Sequence, residues 1–75
     1  MLYHFHIRDQ GHLIRDEEGS ELPDIAAAQA EARASSQDLL IEELKSGTAI
    51  PGRSIEITDA DGRLLESVAV RSVLN

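Results

Sequence analysis

The longest regular feature of the hydrophobic pattern is a segment with helical periodicity that runs from Pro23-Asp24 to Gly47. Its interior contains no glycine or proline and is rich in alanine, glutamate, glutamine and leucine, which are good helix formers. Proline and aspartate at the start, lysine in the last turn and glycine just beyond are typical boundary signals. One side of this helix is apolar at about 100° per residue, so we expect it to pack on a sheet. The apolar positions on that side are Ile25, Ala28, Ala32, Leu39 and Leu40.

Four shorter segments alternate between apolar and polar residues, which is the pattern of half-buried β-strands. Two lie before the helix, at residues 2–8 and 12–15, and two after it, at residues 54–58 and 64–71. The connections Asp-Gln-Gly and Asp-Ala-Asp-Gly are typical of tight turns. The pattern therefore predicts one hairpin before the helix and one after it in the sequence.

The inward residues of these strands follow from the same alternation. Phe5, the single phenylalanine, is expected at the centre of the core, packed beside Ala28 and Ala32. In the last strand we expect Val68 and Val70 to face inward. Leu65 has the opposite parity, which predicts a β-bulge near Glu66-Ser67.

The element order predicts a single α+β domain over residues 1–75. We expect two layers in ββαββ order, a four-stranded, largely antiparallel sheet with the one long helix packed on one face. The hairpins should join into one sheet because an isolated hairpin is marginally stable in water. The other sheet face is expected to be hydrated. It would carry His4, His6, Arg8, Glu56 and Thr58.

Composition narrows the classes of function. Fourteen acidic residues against seven basic ones give a net charge of −7, and no two basic residues are adjacent. Nucleic-acid binding relies on lysine and arginine to neutralise phosphates, so we expect no nucleic-acid partner. The absence of cysteine excludes disulfides and cysteine-ligated metals. No apolar run approaches the ~20 residues of a membrane span, so we expect a cytoplasmic protein without a membrane partner.

Several motifs carry a resemblance to a known family. The chain opens with Tyr-His-Phe-His-Ile-Arg-Asp at residues 3–9, followed by Gly11. Asp-Glu-Glu-Gly-Ser-Glu-Leu-Pro-Asp follows at residues 16–24, three alanines at 26–28, and Asp-Ala-Asp-Gly-Arg at 59–63. Together these motifs resemble a family of short domains of unknown function from soil alphaproteobacteria. The resemblance covers nearly the whole chain and implies a compact cytoplasmic domain without an assigned activity.

Three histidines are the candidate metal ligands. His4 and His6 lie two residues apart on one strand face, so both rings could hold a transition metal. His12 on the neighbouring strand, or a nearby carboxylate, could supply a third ligand. The other interpretation is that the pair is ordinary polar surface, and on that interpretation we expect no metal and no cofactor.

Catalytic signatures are weak in this sequence. No segment resembles a nucleophile elbow or a glycine-rich phosphate loop, and a thin helix-on-sheet domain offers little room for a substrate pocket. We therefore expect a non-enzymatic protein-interaction or regulatory module. The alternative is a small-ligand or metal-binding domain that uses the exposed sheet face around His4 and His6.

A mismatch of lengths suggests how such a module could act. A helix over residues 24–46 would be about 34 Å long at 1.5 Å per residue, whereas a seven-residue strand spans about 23 Å. The C-terminal end of the helix is therefore expected to overrun the sheet. Ile41 lies there, about 160° from Ile25 around the helix, and points away from the sheet.

The residues around Ile41 predict a contact face. Alanines near its side of the helix would let a second helix come close, which favours self-association as a two-fold dimer. The predicted interaction residues are Ile41, Leu44, Ala30 and Ala34. The alternatives are a lone exposed apolar residue, which is common, or a 48–52 loop that folds over Ile41 through Ile50.

Overall fold

The computed structural model describes residues 1–74. Within them the chain forms five strands, one long α-helix and a short 3₁₀ helix. In chain order these are β1 (Leu2–Asp9), β2 (His12–Ile14), β3 (Ser20–Glu21), α1 (Ile25–Ser46), β4 (Ser54–Thr58), β5 (Leu64–Ala69) and the 3₁₀ helix (Val70–Leu74). The predicted α+β class is confirmed. The sheet has five strands, so the ββαββ order with four strands omitted one of them.

The sheet is antiparallel with strand order β2-β1-β4-β5, and β3 pairs with β1 beside β2. On one edge β1 pairs with β4; on the other it pairs with β3 through residues 2–3 and with β2 through residues 7–9. The unpredicted strand, β3, consists of two exposed polar residues. The hydrophobic pattern does not predict this strand because its residues show no apolar alternation.

Both ends of α1 form as the sequence predicts. The Asp24 side chain caps the start by accepting a hydrogen bond from the Ala27 N–H at 2.9 Å. Gly47 ends the helix in the left-handed conformation, with φ of 72°. These local signals set the limits of the helix to within a residue.

The core lies between α1 and one sheet face, and its aromatic centre is Tyr3 rather than Phe5. Tyr3 is 1% exposed and clusters with Ala28, Ala32, Ile55 and Ile57. Phe5 is half-buried and lines an open groove between helix and sheet. The two small alanines lie over the region of Tyr3, where helix and sheet approach closely.

The bulge in the last hairpin lies one residue earlier than predicted. Thr58 pairs with Leu64 and Ile57 pairs with Glu66, which leaves Leu65 as the extra residue of β5. Val70 is buried as expected, but it belongs to the 3₁₀ helix because β5 ends at Ala69.

A buried carboxylate connects the last turns of the helix to segments outside the sheet. Glu43, 5% exposed, accepts hydrogen bonds from the Ile50 N–H at 2.9 Å, from Arg71 at 3.0 Å and from Arg53 at 3.3 Å. Arg53 also lies 3.9 Å from Asp9. The last turns of α1 are therefore joined to the loop before β4 and to the 3₁₀ helix.

Candidate functional site

Two surfaces contain the residues that the sequence singled out. The histidine face is the sheet face opposite α1, around His4 and His6. The outer helix face is the solvent side of α1 that carries Ala30, Ala34, Ile41 and Leu44. All four of these residues are exposed, as predicted.

The histidine face is partly covered, contrary to the expectation of a hydrated surface. The connection at residues 15–19, named the strap here, folds back onto it through Asp16. The Asp16 carbonyl accepts a hydrogen bond from His4 Nδ1 at 2.6 Å, and the Asp16 N–H donates to His6 Nδ1 at 3.0 Å. Both histidines are consequently half-buried.

The carboxylate of Asp16 also stabilises the edge of the sheet. It accepts hydrogen bonds from the Phe5 N–H at 3.1 Å and from the Gly19 N–H at 3.2 Å. Phe5 lies in the part of β1 between its pairings with β3 and β2, where that edge has no strand partner in the described chain. Asp16 therefore supplies the acceptor that a neighbouring strand would otherwise provide.

Gly19 allows the strap to approach β1. Its φ is 73°, and a Cβ atom there would lie 2.9 Å from both the Leu2 side chain and the Tyr3 carbonyl oxygen. Both the left-handed backbone and the close contact favour glycine. Asp16 and Gly19 thus act together to position the strap.

When both rings are neutral, the hydrogen bonds assign opposite tautomers to the two histidines. His6 Nδ1 accepts from the Asp16 N–H, so its proton lies on Nε2 and is donated to the Thr58 hydroxyl, 3.2 Å away. His4 donates through Nδ1, so its Nε2 carries no proton. The rings are stacked with centroids 5.8 Å apart.

We predict that nitrogen NMR of the neutral protein shows the Nε2–H tautomer at His6 and the Nδ1–H tautomer at His4. The physical reason is that the Asp16 carbonyl requires a proton on Nδ1 of His4, whereas the Asp16 N–H requires an unprotonated Nδ1 on His6. Exposed His12 is the internal reference for a ring without these contacts. Identical tautomer populations at His4 and His6 would contradict the strap geometry.

The structure does not bring the three histidines together. His12 pairs opposite Asp9, which places it on the sheet face that α1 covers, away from His4 and His6. Within residues 1–74 there is no group of three or more histidine and carboxylate side chains arranged to hold a metal ion. Since both ring nitrogens of His6 are hydrogen-bonded, only Nε2 of His4 remains open as a ligand within the His4 and His6 pair.

A carboxylate on the same sheet face as the histidine pair is also engaged. Glu56, directly across from His6, binds Arg8 at 3.0 Å. That hydrogen bond, and then the charge of Glu56, raise the pKa of the Arg8 guanidinium above its usual value. The remaining depression of about 280 Å³, beside His4, His6 and the 59–62 turn, is smaller than most small-molecule pockets.

The outer helix face exposes two large apolar side chains of α1. Ile41 is 47% exposed and Leu44 is 75% exposed. By contrast, Leu40 is buried and Leu39 packs partly against the core. The C-terminal half of α1 therefore directs large apolar side chains to both of its sides.

Comparison with known families adds a relationship without an activity. A family model described as a domain of unknown function, DUF6894, matches residues 2–71. The chain belongs to the DUF6894 family. No curated protein and no solved structure shows significant similarity to this DUF6894 domain. Among its described residues, α1 is too polar to cross a membrane.

The sequence of the DUF6894 domain singled out the histidines but not the residue that holds them. In the sequence, Asp16 stands out only as the first residue of the motif at residues 16–24. The available signal was the spacing Asp16-x-x-Gly19, typical of a turn in which an aspartate side chain accepts from a nearby backbone amide. The contacts to His4 and His6 use backbone atoms of Asp16, which no residue pattern specifies.

Proposed function

We propose that this DUF6894 domain is a non-enzymatic protein-interaction module that pairs with a second copy of itself through the outer helix face. The observation that carries the proposal is the distribution of side-chain size on that face. Two large apolar residues, Ile41 and Leu44, occupy its C-terminal half, and two exposed alanines, Ala30 and Ala34, occupy its N-terminal half.

An antiparallel copy of the same helix matches this distribution. Ala34 and Ile41 lie at nearly equal distances on either side of residues 37 and 38, and so do Ala30 and Leu44. A two-fold axis at that point places Ile41 of one copy over Ala34 of the other and Leu44 near Ala30. Large side chains then meet small ones at both ends, which supports a two-fold pairing.

The expected complex is weak and reversible. Contact between two single helices buries less than the roughly 1,200–2,000 Å² of a standard stable interface. The apolar gain comes mainly from Ile41 and Leu44, at about 25 cal/mol per Å² removed from water. We therefore expect association at high protein concentration. A weak dimer of this kind can be regulated by the concentration of the protein or by competition from another protein.

Sedimentation velocity up to several hundred micromolar tests the proposal. The wild type is expected to sediment faster as concentration rises, whereas Ile41→Glu remains monomeric because it places a charge in the contact. Ile14→Glu is the matched control, since Ile14 is 55% exposed but lies on β2. A wild type that stays monomeric, or an equal loss of association in both variants, contradicts the proposed function.

A further inference from the structure

We propose that a row of charged residues beside the outer helix face fixes the antiparallel register of this dimer. Lys45 of each copy pairs with Glu31 of the other, and the two copies of Asp38 meet at the two-fold axis. This inference rests on the proposed function, because it specifies the arrangement of the same contact.

The three charged residues form a row along the helix. Glu31, Asp38 and Lys45 recur at intervals of seven residues, close to two helical turns, and lie about 40–80° around the helix from Ile41. All three side chains are exposed. Among the ion pairs within the described residues, none involves these three, so their charges are available to a partner.

Symmetry determines which charges meet. A two-fold axis perpendicular to two antiparallel helices keeps this row on the same side of both copies. Glu31 and Lys45 are equally distant from Asp38, so an axis at Asp38 sets each Lys45 opposite Glu31 of the other copy. That axis lies within one residue, about 1.5 Å, of the position that matches Ile41 to Ala34.

The charged row meets its own copy only in the antiparallel arrangement. In a parallel two-fold dimer the axis runs along the helices and places the row on opposite sides of the contact, so these charges do not face one another. The antiparallel dimer instead has two attractive pairs and one repulsive pair of aspartates. Asp38 is consequently a residue that weakens the contact, and its removal is expected to tighten it.

Charge reversal and its rescue test this register, with dimer affinity measured by sedimentation equilibrium of the full chain. Lys45→Glu and Glu31→Lys are each expected to weaken the dimer by roughly three- to tenfold, because each turns two exposed attractive pairs into repulsive ones. The double variant is expected to return to the wild-type affinity. The weakening by Glu31→Lys is the more telling result, since that change reduces the net negative charge and general repulsion predicts the opposite.

Asp38→Asn supplies an independent readout of the two-fold axis. It is expected to tighten the dimer more than Glu42→Gln does, although both remove one negative charge from the same helix. Equal effects of these two variants overturn the placement of the axis at Asp38. Urea unfolding of every variant verifies that the fold is kept.

The outcomes separate the register from the proposed function. If Ile41→Glu abolishes association but the double charge reversal is no better than the single ones, the register is wrong and the self-associating face stands. If the wild type does not associate, the proposed function and the register both fail. Rescue by the double variant supports both.

Discussion

Replacement of Glu43 by alanine is expected to lower the free energy of unfolding by about 3–5 kcal/mol, as for loss of one partner of a buried ion pair. The carboxylate of Glu43 is almost fully buried and accepts from the Ile50 N–H, Arg53 and Arg71. Without it, the Arg53 charge remains in a largely buried position with Asp9 at 3.9 Å as its nearest carboxylate. Urea unfolding followed by far-UV circular dichroism measures the change.

Two further substitutions make this result specific. Glu42→Ala, at the adjacent exposed position, is expected to change stability by no more than about 0.5 kcal/mol. Glu43→Gln retains an acceptor for the Ile50 N–H but loses the charge, so its effect should lie between the two alanine variants. Equal stability of Glu42→Ala and Glu43→Ala would show that the ion network contributes nothing.

Replacement of Tyr3 by alanine is expected to cost about 3–5 kcal/mol, a large part of the roughly 4–11 kcal/mol available to a domain of this size. Tyr3 is the fully buried aromatic residue beneath Ala28 and Ala32. Phe5→Ala should cost less, about 1–3 kcal/mol, because part of that side chain remains in contact with water. The same urea measurement compares the two variants.

Comparing Tyr3→Ala with Phe5→Ala tests which residue is the centre of the core, because the sequence alternation predicts Phe5 and the structure has Tyr3. Tyr3→Phe is the control, since its hydroxyl makes only a 3.6 Å contact to the Met1 sulfur and its loss should matter little. A larger loss of stability for Phe5→Ala than for Tyr3→Ala would restore the sequence-based assignment and overturn the structural one.

The features that the sequence predicts correctly depend on residues that are close together in the chain. The helix ends depend on residues next to them in sequence, Asp24 and Gly47, and these were identified correctly. The exposure of Ile41 follows from helical geometry alone. Alternation along β1 predicts which face of the sheet Tyr3 and Phe5 share. It does not predict where along the strand the helix crosses, and that position decides which of the two is buried.

Contacts between distant residues explain what was missed. Glu43 lies on the same side of the helix as Ile25, a carboxylate on the apolar side, but its partners Arg53 and Arg71 are brought to it only by the complete fold. Likewise, the strap covers the histidine face through backbone atoms of Asp16. A residue pattern records neither kind of contact.

The pairing of β1 with β4 has a consequence for how the chain acquires its structure. It joins residues 4–8 to residues 54–58, with the whole helix between them. Closing so long a loop is entropically costly, and such non-local pairing slows folding. During synthesis β4 follows the first hairpin by about 40 residues, so the side of β1 that pairs with β4 stays open until residues 54–58 have been made.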